Sequence, residues 1–420
     1  MAIFSLALNS LRNRRVTAGL TVIAIALSVA LLLGVEKVRT ETRASFAQTI
    51  SGTDLVVGAR SGSIQLLLYS VFRMGSATNN ISWQSYQEIR AHPRIAWTIP
   101  IALGDSHRGY PVMGTTLDYF EHFRFARGRS LEFAAGRPFD DVFDAVLGAE
   151  IAERLGYRIG DAITLAHGTG PVSFVQHDDK PFQITGILKR TGTPVDRTVH
   201  ISLEGMEAIH VDWRGGAPPA SGRAIPPEQV RGMDLTPESI TAFFVGLDSR
   251  IATFQVQRYI NNYRQEPLLA ILPGVALQEL WSLMGVAEQA LLLVSGFVVL
   301  VGLIGMLAVM LAGLNERRRE MAILRSVGAR PRQVFALLAS ETLFLAGAGV
   351  ALGLGLLYLG LFVAQPLVQA QFGIHLGITP PGVHEFRLLA VFLAAAFLIS
   401  LIPALRAYGN TLTDGLDPRV

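Results

Sequence analysis

The sequence predicts an α-helical membrane protein with four transmembrane helices and a large α+β extracytoplasmic domain inserted between the first and second. Three observations predict it. With 50% of its residues hydrophobic and 16% charged, the chain is too apolar for an ordinary soluble enzyme and too polar for a bundle held wholly in lipid. Four long apolar runs occur, one near the N-terminus and three beyond residue 284. Between the first and second runs, residues 36–284 mix alternating apolar strand patterns with short helical ones.

The first run, 16–35, carries no charge over 20 residues and follows Arg12, Arg14 and Arg15. Its length covers a hydrocarbon core of about 30 Å at about 1.5 Å per residue. The rival reading is a cleaved signal peptide, because Ser28-Val29-Ala30 places small residues at cleavage spacing. Signal h-regions usually span about 7–15 residues, so the length favours a retained anchor. The further spans fall at 285–314 (its most apolar part from Leu291), 334–364 and 387–406, and the tail at 407–420.

Orientation follows from arginine. It clusters before the first span, between the second and third, and at Arg406, whereas residues 365–386 contain neither Lys nor Arg. The positive-inside rule then places both termini and the 315–333 loop in the cytoplasm and residues 36–284 outside. The formal net charge of +3 reads as a topology signal, so no nucleic-acid partner is expected.

The 315–333 loop is the richest segment. NERRREMAILRSVGARPRQV, from Asn315 to Val334, holds six arginines and two glutamates, yet Met321, Ile323, Leu324 and Val327 recur near helical spacing before Gly328. A short amphipathic helix below the membrane is expected, with a cytoplasmic contact as its purpose.

In the third span, Gly347, Ala351 and Gly355 form one stripe and Gly349 and Gly353 another. Small residues four apart let helices approach closely in lipid, and two overlapping stripes favour a packing face. Glu341 lies two turns into that span. An intramembrane carboxylate is costly and a functional candidate by default, but its closeness to the arginine-rich loop favours structural pairing over ion translocation.

Outside, a polar helical stalk is expected over 36–50, with 268–284 returning beside it. Strands are expected at 162–165, 182–188 and 242–247, a strand entering a helix over 145–155, and strand, turn and helix over 239–254. Four prolines make 217–228 a long loop or subdomain end. The segment Ser63 to Met74 is amphipathic; core packing is favoured over a lipid-like cargo or the membrane surface.

No catalytic constellation is legible. The phosphate-cradling G-x-x-x-x-G-K-[ST], H-E-x-x-H and G-x-S-x-G motifs are missing from the sequence. There is no cysteine, which excludes disulfides, thiol catalysis and cysteine metal sites. His177-Asp178-Asp179 has the residue types of a metal site. Adjacent residues rarely converge on one ion without distant partners, so no metal site is expected there.

The segment Arg319-Glu320-Met321-Ala322-Ile323-Leu324-Arg325-Ser326-Val327-Gly328-Ala329, with Arg318-Arg319-Glu320 restoring the R-x-E spacing, resembles the pattern R-x-E-[IM]-x-x-x-R-[AS]-[VLI]-G-A of the MacB/FtsX-like permease family, the membrane subunits of mechanotransmitting (type VII) ABC transporters; lipoprotein-releasing permeases are similar. The resemblance extends outside. Gly114 to Phe120, Gly128-Arg129, Leu147 to Ala152, Gly160 to Ile163, Gly186 to Leu188 and Thr193 to Asp196 are similar to the family's MacB-like periplasmic core domain. Ala7 to Arg12 resembles its N-terminal amphipathic helix, placed at 1–15, and Pro403 to Ala407 the end of its fourth span.

The resemblance implies a multi-pass protein of the bacterial inner membrane with a periplasmic domain. It implies that the chain is no enzyme and binds no cofactor, ATP and Mg being held by a separate cytoplasmic ABC ATPase. Arg318, Arg319, Glu320, Ile323, Leu324, Arg325, Val327 and Gly328 would form the coupling helix. A second permease subunit, most simply an identical chain, membrane lipid and a periplasmic or outer-membrane partner are implied. An FtsX-like regulator of an envelope hydrolase is the alternative function, and a membrane-anchored periplasmic enzyme the second.

Overall fold

The computed structural model describes residues 15–168, 177–213, 225–326, 330–372 and 378–409, with side chains left out at 45, 48, 313–326, 331, 334, 368–372 and 407–409. The chain divides into a membrane unit, from the described parts of Met1–Thr42, Gly285–Gln371 and Leu376–Val420, and a head formed chiefly by Arg43–Met284.

Among the described residues, eleven strands form the main sheet of the head. In chain order they are β1 (Leu55–Ala59), β2 (Ile95–His107), β3 (Tyr110–Thr115), β4 (Phe133–Gly136), β5 (Asp144–Leu147), β6 (Ala162–Ile163), β7 (Ala166–His167), β8 (Phe182–Leu188), β9 (Val199–Ser202), β10 (Ala242–Leu247) and β11 (Leu268–Ile271). Across the sheet they run β11-β1-β10-β2-β3-β9-β5-β8-β4, with β7 added to β2 and β6 to β8. Pairing is antiparallel except β9 with β3 and β8 with β5, whose parallel runs require crossovers.

The sequence explains the central strands. AFFVGL of β10 is apolar without alternation, and five of its six residues are buried, as a strand covered on both faces requires. Gly246 has no room for a side chain, because a Cβ there would run into the Trp97 ring of β2. Of the strand expected at 162–165, only Ala162–Ile163 is β6 and β7 starts at Ala166. The returning segment 268–284 begins as edge strand β11, because Leu268 to Ile271 pair along β1, and enters a long helix at Pro273.

Helices pack on this sheet. α2 (Ser63–Phe72) buries Leu66, Leu67, Tyr69, Val71 and Phe72, so its amphipathic face belongs to the core. α3 (Ala149–Leu155) follows β5 after Gly148, where a Cβ would collide with the Val195 carbonyl. Asp196 closes that region by accepting from Thr191 N at 2.8 Å and Gly192 N at 2.7 Å. The Thr193-Pro194-Val195-Asp196 motif is therefore a loop latch. α4 (Leu203–Ala208) is capped by Ser202, whose Oγ accepts from Gly205 N at 2.8 Å. α5 (Thr253–Asn261) completes the far side of the sheet, burying Val256 and Ile260.

The membrane unit is built on four long helices. α1 is Arg15–Gln48, α6 Pro273–Ser326, α7 Pro331–Phe372 and α8 Val383–Gly409. Each contains a stretch apolar and long enough to cross a bilayer: Arg15–Ala44, Pro273–Ala312, Phe335–Leu367 and Val383–Arg406. Ile25, Val29 and Leu33 of α1 lie at the centre, buried with Leu303 and Met306 of α6, Ala346 and Val350 of α7, and Leu389, Phe392 and Ala396 of α8.

Candidate functional site

The expected coupling segment is helical from Asn315 to Ser326, but it is not a separate helix. It is the end of α6, which runs 54 residues without a break. Nothing in the sequence between Leu314 and Ser326 interrupts the i to i−4 ladder, since no proline or glycine occurs there. Charge ends the membrane span without ending the helix. The side chains of Arg318, Arg319, Glu320, Ile323, Leu324 and Arg325 lie outside the described set, as do Val327 and Gly328 altogether.

The two small-residue stripes of α7 have different surroundings. A Cβ on Gly349 would collide with Ile25, and one on Gly353 would stand 2.8 Å from the Ala26 carbonyl and 3.0 Å from Val29. That stripe lets α7 approach α1. A Cβ on Gly347 or Gly355 meets nothing within 4 Å, and Ala351 between them is exposed, so the other stripe packs on no described residue. Glu341 is buried in α7, and its neighbour Thr342 donates to Leu338 O at 2.9 Å.

A cluster of charges that sequence reasoning passed over joins α1, α6 and α8. Lys37, 5% exposed, lies 3.4 Å from Glu41 and 3.8 Å from Glu385, and donates to Thr379. Arg39 donates to Glu36 at 2.7 Å and lies 3.8 Å from Glu288, while His384 stands 3.4 Å from Glu36. Glu36 to Glu41 close α1's contribution to the membrane unit. The helical spacing of these charges was the available signal, but their partners on α6 and α8 are more than two hundred residues away.

Within the head, the last turns of α1 and the first of α6 meet. Phe46 packs on Phe72 of α2 at 4.4 Å and edge-on to Trp281 of α6 at 5.5 Å, and the Arg43 guanidinium lies over Trp281 at 5.5 Å. Ala276 and Leu277 of α6 are buried in the same core cluster as Ile50 and Val56. Both stalk helices are thus fastened to the sheet through α2.

The histidines are less scattered than the sequence indicates. His107 is satisfied structurally, with Nδ1 at 2.7 Å from Thr164 O and Nε2 at 3.0 Å from Tyr157 Oη. His200 is buried in the core against Tyr119, and burial pushes its imidazole down to about 3. His167, His177 and His210 instead converge with Asp105, their ligand-type atoms all within 4.8 Å of one another. The distant partners that His177 lacks in sequence are supplied by the fold. Register does it in part: His167 of β7 pairs directly with Asp105 of β2. A buried ion pair does the rest. Lys180, with no exposed surface, lies 2.6 Å from Asp179 and 2.9 Å from Asp212, which ties the His177 segment to the His210 turn.

These features define a class: a four-span membrane protein whose α+β extracytoplasmic head is inserted after the first span. The MacB-like periplasmic core domain family matches residues 18–263 and the FtsX-like permease C-terminal family residues 292–412. The chain belongs to the MacB/FtsX-like ABC transporter permeases, and is a membrane component and not the catalytic one. Permeases of this family work with ABC ATPases. Among solved structures, the head is similar to the periplasmic region of MacB from Actinobacillus actinomycetemcomitans, at 10% identity, covering 55% of this chain and 94% of that one with a TM-score of 0.34. It is also similar to the extracellular domain of the noncanonic ABC-type transporter YknZ from Gram-positive bacteria, at 11% identity over 52% and 99% of the two chains, TM-score 0.30. No curated protein matches the sequence.

Proposed function

We propose that this chain couples ATP hydrolysis by a separate ATPase subunit to movement of its head, for export or extrusion of an envelope substrate. The observation that carries this reading is α6, one uninterrupted helix whose first turns are buried in the head core and whose last turns hold the arginine-rich segment. An intact hydrogen-bonded helix conveys displacement from one end to the other.

In this reading the arginine-rich end and both termini are cytoplasmic and the head periplasmic, as the arginine distribution supports. Ile323 and Leu324 fill a groove on the ATPase while Arg318, Arg319 and Arg325 meet its acidic rim. Two permease chains act together; nucleotide-driven closure of two ATPases brings their helices together. The substrate moves on the head side. Hydroxyls in the spans support this: Thr21, Ser28, Ser295 and Thr342 each donate to a carbonyl four residues earlier in their own helix, at 2.8–2.9 Å.

The test replaces Glu320 and Leu324 together, Glu320→Lys with Leu324→Asp, in the full chain. Co-purification of the ATPase is lost while the head keeps its thermal transition; persistence of the complex overturns the coupling role. Because the chain has no cysteine, a cysteine introduced at Arg330 reports sidedness cleanly. An impermeant thiol reagent leaves it unlabelled in intact cells, and labelling there overturns the orientation.

A further inference from the structure

We propose that Asp105, His167, His177 and His210 form a binding site for one divalent transition-metal ion of the zinc class. The site is independent of the coupling mechanism, since it rests only on residues of the head.

The argument begins with unmet polar groups. Both carboxylate oxygens of Asp105 are buried and accept no well-aligned hydrogen bond, and both ring nitrogens of His177, a residue 1% exposed, are buried without any partner. Burying such groups unpaired is unfavourable, and most of all for a charged carboxylate. Lys180 nearby does not relieve them, being committed to Asp179 and Asp212. A cation at the point where they converge satisfies all of them together.

The spacing suits such a cation. His167 Nδ1 lies 3.1 Å from His210 Nε2 and 3.2 Å from an Asp105 oxygen, and His210 Nε2 lies 3.6 Å from the other. Ligands at about 2.0–2.2 Å from a tetrahedral zinc ion stand about 3.3–3.6 Å from each other. The widest separation in the group is within 4.8 Å, so a shift of roughly one ångström brings all four into that geometry.

The surroundings orient the ligands. His210 Nδ1 donates to Met206 O at 2.9 Å, which leaves Nε2 as the lone-pair atom facing the cluster. Metal-bound histidines are ordinarily fixed in this way through the second nitrogen. The β2–β3 ladder shifts register between Leu103 and Ser106, the irregularity that contains Asp105, and such bulges re-aim a side chain. Trp213 packs against all three imidazoles, its ring 4.8 Å from His167, 4.7 Å from His177 and 5.5 Å from His210. His167 keeps 45% of its side chain exposed, which gives an ion a way in.

The donor set selects the ion. Three imidazoles and one carboxylate suit zinc, cobalt or nickel, while magnesium and calcium prefer oxygen alone. Four protein ligands fill a tetrahedron and leave no open position for a reacting water, so the ion is structural or regulatory. Its effect is to bind the His177 segment and the His210 turn to the β2–β7 pair.

The full-length chain in detergent, stripped with a chelator, is titrated with zinc chloride against a chromophoric competitor. One zinc per chain is expected. His177→Ala and His210→Ala each weaken binding at least about tenfold, and His92→Ala leaves it unchanged. The wild-type melting temperature rises with zinc and not with magnesium. Cobalt substituted into the wild-type chain gives the intense visible bands of a four-coordinate ion, a reading that needs no variant to fold. Absence of stoichiometric zinc, equal binding by folded His177→Ala, or a six-coordinate cobalt spectrum overturns the site.

Discussion

In the membrane unit, α7 reaches α1 through Gly349 and Gly353, where missing side chains allow backbone to touch its neighbour. In the head, the segments around residues 180 and 212 are joined by a buried lysine between two aspartates. One region gains contact by leaving atoms out; the other by enclosing charges and satisfying them. The difference follows from the surroundings. Lipid offers no hydrophobic gain for bringing two apolar helices together, so close van der Waals fit is what remains. A water-facing head gains from burial itself and can accommodate polar ties within it, provided each is complete.

The strongest way to break the comparison is to leave the head's tie half made. Lys180→Met strands Asp212, 4% exposed, and should cost about 3–5 kcal/mol, read as a fall in the head's melting transition with the four-helix unit unaffected. A double variant that also changes Asp212 to Asn should recover much of that loss.

The membrane-side counterpart is Gly353→Leu, which must displace Ala26 or Val29 and should cost about 1–3 kcal/mol or prevent assembly of the unit. Gly347→Leu and Gly355→Leu meet no described neighbour and should leave the isolated chain's stability unchanged. If all three behave alike in a melting assay in detergent, the distinction between the stripes fails.

A smaller effect sharpens the comparison by pH. His200 is held down to about 3 by burial, with the Arg73 cation acting in the same direction. Its unfolded value is about 6.5. Between the two, the unfolded chain binds a proton that the folded head does not, so stability is complete above pH 6.5 and declines as pH falls towards 3. His200→Phe should make the decline shallower in thermal melts from pH 7 to pH 4. The least effect belongs to the exposed pair Arg94–Asp248, 3.3 Å apart, where Asp248→Asn should change stability by less than about 1 kcal/mol.

Much of the framework was legible because it is written in local periodicity. β8 and β10 fall on the residues whose apolar runs marked them, and the amphipathic segment at Ser63 lies in the core as its pattern favoured. Legibility failed where two signals that usually coincide came apart. Arginines after Leu314 ended the apolar run, and the helix was expected to end with it, yet α6 continues to Ser326 because backbone hydrogen bonding does not depend on side-chain charge. Likewise Leu268 to Ile271 carried no mark of its sheet, since an edge strand is defined by the partner it lies against.

By itself, then, the sequence determined the four spans, the inserted head and the kinship that its arginine-rich segment carries, because bilayer thickness, helical repeat and charge each act on neighbouring residues. Only the tertiary structure decided which glycine stripe meets α1, which charges join α1, α6 and α8, and that Asp105 shares a space with His167, His177 and His210. Those arrangements depend on strand register and on contacts between segments far apart in the chain, and no local pattern of residues encodes a distance through space.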